Sequence, residues 1–152
     1  MSQQYKWLEN KINLYLDRIS TPAPQLNGWA PCPFVSSYRN SIQISVVPQG
    51  IKEPILQAFQ MLEPLKLKAI VLGFPKKPPF KRLEAVTDEL INLPEYEHIE
   101  CLLVNHRLKG LYRGVDTRFE YCDLVIIQNA TQLYWARQNL KKRGYYTAKN
   151  SA

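Results

Sequence analysis

The sequence predicts an α/β fold, a single sandwich of about four strands, mostly parallel, with helices packed on the sheet. Short apolar segments rich in Val, Ile and Leu alternate with longer segments of helical periodicity, which is the pattern of βα units. The 152 residues, 45% hydrophobic and 22% charged, suit one folded domain and exclude disordered and fibrous classes. We therefore expect a single α/β domain over residues 1–152.

The N-terminal part predicts a helix followed by a stiff connector. Residues 5–19 carry apolar side chains at helical spacing, with charged and amide side chains on the other face. Residues 20–34 are rich in proline, which ends the helix and favours an extended chain. No helix is predicted directly after Cys32.

The middle of the chain predicts three strands and two helices. In order these are strand 42–47, helix 51–62, strand 67–72, helix 80–93 and strand 99–104. The β-branched alternation of the first strand and the near-continuous apolar run of the third carry these predictions.

The C-terminal part predicts a fourth strand and a last helix. Residues 105–120 lack helical or strand periodicity, so the third and fourth strands can instead pair antiparallel. The strand covers 124–127. Asn129 with Gln132 has the spacing of a capping box that starts a helix to about residue 143, and Gly144 is a suitable stop before a 144–152 tail.

The sequence favours a cytoplasmic protein without a membrane segment. No apolar run approaches the ~18–20 residues that a membrane helix needs, and no signal peptide or lipidation motif is visible. The cysteines Cys32, Cys101 and Cys122 are odd in number and widely spaced, unlike a disulfide framework.

Charge suggests an anionic partner. The net charge is +7, and from residue 103 onward nine Lys or Arg face three Asp or Glu. Ligands of open α/β sheets gather at the carboxyl ends of strands. Four groups fall there in the predicted fold: Gln49–Gly50, Lys76–Lys77, Asn105 to Arg107, and Gln128–Asn129.

The third group is chemically the richest. His106 can move a proton near neutral pH, and the planar guanidinium of Arg107 suits a phosphate or carboxylate. The alternative is a solvated basic loop that only keeps the protein soluble. Cys32 is a second catalytic candidate as a thiol nucleophile, although a buried, structural cysteine is the simpler interpretation. Cys101 and Cys122 are predicted core thiols.

Metal and cofactor sites are not predicted. The cysteines and histidines lack close ligand pairs, and no Walker, G-x-G-x-x-G or G-x-S-x-G motif occurs.

Three functional hypotheses remain open. The first is a protein that binds or acts on an anionic small ligand, for example a phosphorylated one, with Cys32 and His106 as catalytic groups. Its ligand-binding residues are Lys76, Lys77, Asn105, Arg107 and Arg113.

The second is a basic accessory protein that binds nucleic acid through phosphate contacts and aromatic stacking. Its candidate residues are Arg107, Lys109, Arg113, Arg118, Lys141, Lys142, Arg143, Tyr145 and Tyr146. The third is an interaction protein, for example one encoded by a phage, that docks on a host protein.

The chain resembles the family of small bacterial proteins defined as domain of unknown function 1415. A helix leads into Cys32-Pro33-Phe34, a strand follows a basic residue over 39–47, a later strand ends in His106, and the last unit closes with Ala136-Arg137. The resemblance spans residues 5–143 and implies no reaction, because the family is named for its unknown function.

Two segments depart from that family. Arg107 stands where the family tends to have proline, and residues 120–123 replace a segment of prolines. Residues 124–146 also resemble small uncharacterised proteins of phages that infect marine cyanobacteria.

Overall fold

A computed structural model describes residues 3–108, 111–112 and 115–145 and has an α/β fold. The helices in this part of the chain are α1 Lys6–Ile19, α2 Pro33–Tyr38, α3 Lys52–Leu62, α4 Phe80–Ile91 and α5 Ala130–Lys142. The strands are β1 Ile42–Val46, β2 Ala69–Phe74, β3 Ile99–Val104, β4 Leu111–Tyr112, β5 Val115–Asp116 and β6 Asp123–Asn129. None of the described helices has the length and apolar character needed to cross a membrane.

The main sheet has four strands in the order β1-β2-β6-β3, and only β1 and β2 are parallel. Strand β6 lies between β2 and β3 and runs antiparallel to both. The prediction of a mostly parallel sheet is therefore wrong, whereas the antiparallel alternative for the third and fourth strands is confirmed. The physical reason is the connection: a parallel return needs a crossover of a dozen or more residues, usually helical, and none of the described residues between β3 and β6 is helical.

Side chains alternate between the two faces of the sheet, and helices cover both. On one face, Ile12 and Leu16 of α1 share a core with Val71 of β2. On the other face, Phe59 of α3 and Leu83 of α4 share a core with buried side chains of β2, β3 and β6. Strands β2 and β6 form the centre, and every residue of β2 is buried.

The proline-rich connector is not extended throughout. Residues Pro24–Leu26 form a 3-10 helix, and α2 begins directly after Cys32 with Pro33 at its first position. The expectation of no helix behind Cys32 is wrong because proline disrupts a helix interior but suits its first position, where no N–H is needed.

The start and end of α5 follow the predicted signals. The Asn129 side chain accepts a hydrogen bond from the backbone N–H of Gln132 at 2.9 Å. Gly144 adopts φ +83°, the left-handed geometry that stops a helix. Tyr145 follows and is buried, with its hydroxyl donating to the carbonyl oxygen of Pro31 at 3.0 Å.

Candidate functional site

The sheet has two ends with different chemistry. Strands β1, β2 and β3 finish at one end of the sheet, where β6 begins, and we call this end the C-terminal edge. The register places Asp123 opposite Phe74 and Leu124 opposite Val104. The loops that begin after Val46, Phe74 and Val104 therefore all leave from this edge.

Three of the four predicted groups leave from the C-terminal edge, namely Gln49–Gly50, Lys76–Lys77 and Asn105 to Arg107. The fourth, Gln128–Asn129, lies at the opposite, N-terminal edge, because β6 runs antiparallel to its neighbours. The first residue of β6, Asp123, lies at the C-terminal edge instead.

A short polar contact at the C-terminal edge joins His106 and Asp123. His106 Nδ1 lies 2.5 Å from Asp123 Oδ1, and the backbone N–H of His106 donates to the same oxygen at 2.8 Å. The Asp123 side chain is 2% exposed and that of His106 is 13% exposed. A buried carboxylate thus holds the imidazole at its Nδ1 atom.

This geometry defines the role of each ring nitrogen. The carboxylate favours the tautomer with the proton on Nδ1, so the lone pair of the neutral ring is on Nε2. Nε2 makes no hydrogen bond to any described residue. The Nε2 atom of such an oriented imidazole can accept a proton or a hydrogen bond from a ligand that reaches it.

Several basic side chains lie at the C-terminal edge. Lys76 and Arg82 line an open recess of about 390 Å³ together with Gln49 and Gly50. No acidic side chain is among the described residues that line this recess, and neither is His106. Lys77 takes φ +53° in the tight turn where its N–H donates to the Phe74 carbonyl oxygen.

Asn105 and Arg107 form a compact turn beside His106. The Asn105 side-chain oxygen accepts from the backbone N–H of Arg107 at 2.9 Å. Asn105 therefore shapes the loop, and Arg107 is exposed at the same edge. Arg113, the remaining predicted ligand-binding residue, lies outside the described residues.

The structure does not bring Cys32 and His106 together. Cys32 lines a cavity at the N-terminal edge with Gln128, whereas His106 contacts Asp123 at the other end of β6. Asp123 and Gln128 are five positions apart in β6, which corresponds to about 17 Å along the strand. The two catalytic candidates belong to different sites.

The other two cysteines are thiols with little tendency to ionise. Cys122 is 0% exposed, and burial raises its pKa to about 11, although a hydrogen bond with the Phe74 backbone acts in the opposite direction. Cys101 is half-buried, and burial raises its pKa to about 12. Both fit the prediction of structural thiols better than that of nucleophiles.

Several residues of the nucleic-acid hypothesis already have partners. Arg118 makes two side-chain hydrogen bonds to Asp116, at 3.1 and 3.2 Å, and these hold the Asp116 pKa below its usual value. The Arg143 guanidinium lies 5.2 Å from the ring centre of Trp29. Tyr145 is 1% exposed.

The rest of that set is divided between two places. Lys141 and Lys142 are exposed on the last turn of α5, and Arg107 lies at the C-terminal edge. Lys109 and Tyr146 lie outside the described residues.

Asp123 was not a candidate from the sequence. The signal was available, since an acidic residue begins an apolar segment that becomes a buried strand. A buried carboxylate requires a hydrogen-bonding partner, so its position calls for a nearby donor.

Within the described residues, no cluster of three His, Cys, Asp or Glu side chains could hold a metal ion. Comparison of the chain with protein-family models, with curated proteins and with solved structures gives no match. The resemblance to domain of unknown function 1415 therefore stays a prediction.

Proposed function

We propose that this protein binds a small anionic ligand, with a phosphate or similar group, at the C-terminal edge of its sheet. In this proposal the Nε2 atom of His106 accepts a proton or hydrogen bond from the ligand. Lys76 and Arg82 neutralise the ligand's charge, with Lys77 and Arg107 adding to the positive potential of the same edge.

The observation that carries the proposal is the contact between His106 and the buried Asp123. Burying a carboxylate is costly, and here it is offset by two hydrogen bonds from one residue. The result is an imidazole with one orientation and a defined tautomer. A proton-transfer group usually requires such orientation, because its lone pair must point towards the ligand before the ligand binds.

Electrostatics supports the anionic character of the ligand. Lys76 and Lys77 follow β2, Arg82 is on α4 and Arg107 follows β3, so basic side chains from two loops and one helix lie at this edge. A concave surface lined with one sign of charge attracts small ions of opposite sign. Cys32 has no part in this site, since it lies at the N-terminal edge.

The test is a titration with phenyl phosphate at low salt, followed by ¹H–¹⁵N NMR. We expect saturable shifts at His106 and at Lys76. Lys76→Gln should weaken binding about fivefold, the effect of an ion pair of ~1 kcal/mol. Lys141→Gln is the matched control, because it removes the same charge from an exposed position on α5.

His106→Gln should also weaken binding, and the variant should keep the NMR spectrum of a folded protein. Lys76 is exposed, so its variant keeps the test valid if the His106 variant does not fold. Absence of saturation, or equal effects of the Lys76 and Lys141 variants, would refute the proposal. A mixed-sequence DNA that binds more tightly than phenyl phosphate would favour the nucleic-acid hypothesis instead.

A further inference from the structure

A second site lies at the opposite end of the sheet. There a cavity of about 290 Å³ opens between α1, α2, α5 and the sheet face that α1 covers. It exists because α1 packs on β1 and β2, whereas α5 packs on β6, so side chains from both helices form its walls. It shares no lining residue with the basic recess at the C-terminal edge.

The walls of this cavity are mainly aliphatic. They include Leu16 and Ile19 of α1, Val35 of α2, Val71 and Ile126 of the sheet, and Leu133 of α5. Each of these side chains is at least nine-tenths buried and belongs to a regular element, so the shape is preformed. Preformed apolar cavities with a few polar groups are the typical form of small-molecule sites.

Two neutral polar side chains of the lining can donate hydrogen bonds to a ligand. The Tyr15 side chain is largely buried, and its hydroxyl makes no hydrogen bond to a described residue. Burial, followed by the nearby Cys32 thiol, raises the Tyr15 pKa to about 12, so the hydroxyl keeps its proton. The half-buried Gln128 side chain also lacks a bond within the described part of the chain.

Lys68 carries the one charge among the described residues that line the cavity. Its ammonium lies 5.3 Å from the ring centre of Tyr38 and forms no ion pair with a described acidic residue. The backbone N–H of Lys68 donates to the Ser41 carbonyl oxygen at 2.9 Å, which holds this lysine at the start of β2. A single cation beside an apolar cavity suits a ligand with one negative charge.

We infer that the cavity binds a small amphipathic monocarboxylate, with its apolar body between the helices and its carboxylate at Lys68. Tyr15 and Gln128 line the same cavity and can donate hydrogen bonds to the ligand. A volume of about 290 Å³ holds roughly ten non-hydrogen atoms at the ~30 Å³ that each water occupies in the liquid. Octanoate has this size and charge, and it serves as the probe.

Calorimetric titration compares octanoate, hexanoate and 1-octanol on the full chain. Octanoate should saturate a single site, and each methylene removed should weaken binding about fourfold, from ~0.8 kcal/mol of burial per group. The neutral 1-octanol separates the apolar contribution from that of Lys68. Phenyl phosphate should not compete, because its proposed site lies at the other edge.

Lys68→Gln should weaken octanoate binding about fivefold and leave 1-octanol binding unchanged. Lys66→Gln is the matched control, since Lys66 is exposed, close in sequence and outside the cavity lining. Equal losses for octanoate and 1-octanol in the Lys68 variant would overturn the role of the charge.

Leu133→Trp fills the cavity from the α5 side and should abolish binding of both probes in a folded variant. Cys32 gives an independent readout that needs no substitution, because it lines the same cavity. Octanoate should slow its reaction with a thiol reagent, and His106→Gln should not alter that protection. No saturable octanoate binding, or no protection of Cys32 at saturation, would overturn the proposal.

Discussion

Replacing Asp123 by alanine removes the acceptor of both hydrogen bonds that position His106. Each bond to a charged acceptor is worth about 1.5–3 kcal/mol, so their sum is about 3–6 kcal/mol. Release of a buried carboxylate from its desolvated position offsets part of this loss. We expect Asp123→Ala to lower the free energy of unfolding by about 3 kcal/mol, or the midpoint temperature by about 6–12 °C.

A double-mutant cycle isolates the side-chain contact within that loss. His106→Ala removes the Nδ1 bond but keeps the backbone donor, and the double variant should lose less than the sum of the single variants by about 2 kcal/mol. Urea unfolding followed by circular dichroism measures all four proteins. Asp116→Ala serves as a control, because Asp116 pairs with the exposed Arg118 and surface ion pairs of this kind contribute little to stability.

The reasoning fails if the two single losses are additive within about 0.5 kcal/mol. It also fails if Asp123→Ala costs no more than the Asp116 control. Either result would mean that the short contact does not orient the ring, and the proposed role of His106 would lose its basis.

Gly73→Ala places a Cβ 2.9 Å from Ile12 Cδ1 in a buried strand and should cost about 1 kcal/mol in urea unfolding. Adding Ile12→Val removes the contacting methyl, and failure to recover stability would contradict this cause. Asn129→Ala removes the cap of α5 and should cost about 1 kcal/mol, whereas Asn129→Asp should stay near the wild type. At pH 9, Cys101 and Cys122 should resist a thiol reagent until urea unfolds the chain, because their pKa values of about 12 and 11 leave about 1% thiolate or less. Rapid reaction of Cys101 or Cys122 in the native protein would contradict this prediction.

Local periodicity was enough to locate the regular elements. The third strand has the predicted bounds, Ile99–Val104, and α1 begins one residue after its predicted start. The cap at Asn129 and the stop at Gly144 were also predicted, because each depends on residues within one turn of the helix. The α2 helix was missed because proline at a first helical position resembles a helix breaker in sequence.

The direction of β6 depends on contacts far apart in the chain. An apolar strand has the same pattern whether it pairs parallel or antiparallel, so residues 124–127 predicted a strand without its orientation. Once β6 is reversed, Gln128 moves to the edge that carries Cys32, and Asp123 moves to the edge that carries His106. Neither proposed site could be assembled without that information.

The α/β class, the positions of most helices and strands and the excess of basic residues could be predicted from the amino-acid sequence. These properties follow from interactions between residues a few positions apart, which repeat along the chain. The strand ends that lie side by side depend on the tertiary fold. The fold separates Cys32 from His106 and brings His106 into contact with Asp123. The physical reason is that strand pairing is set by the burial of whole faces and by the connections between strands, and neither leaves a local pattern in the sequence.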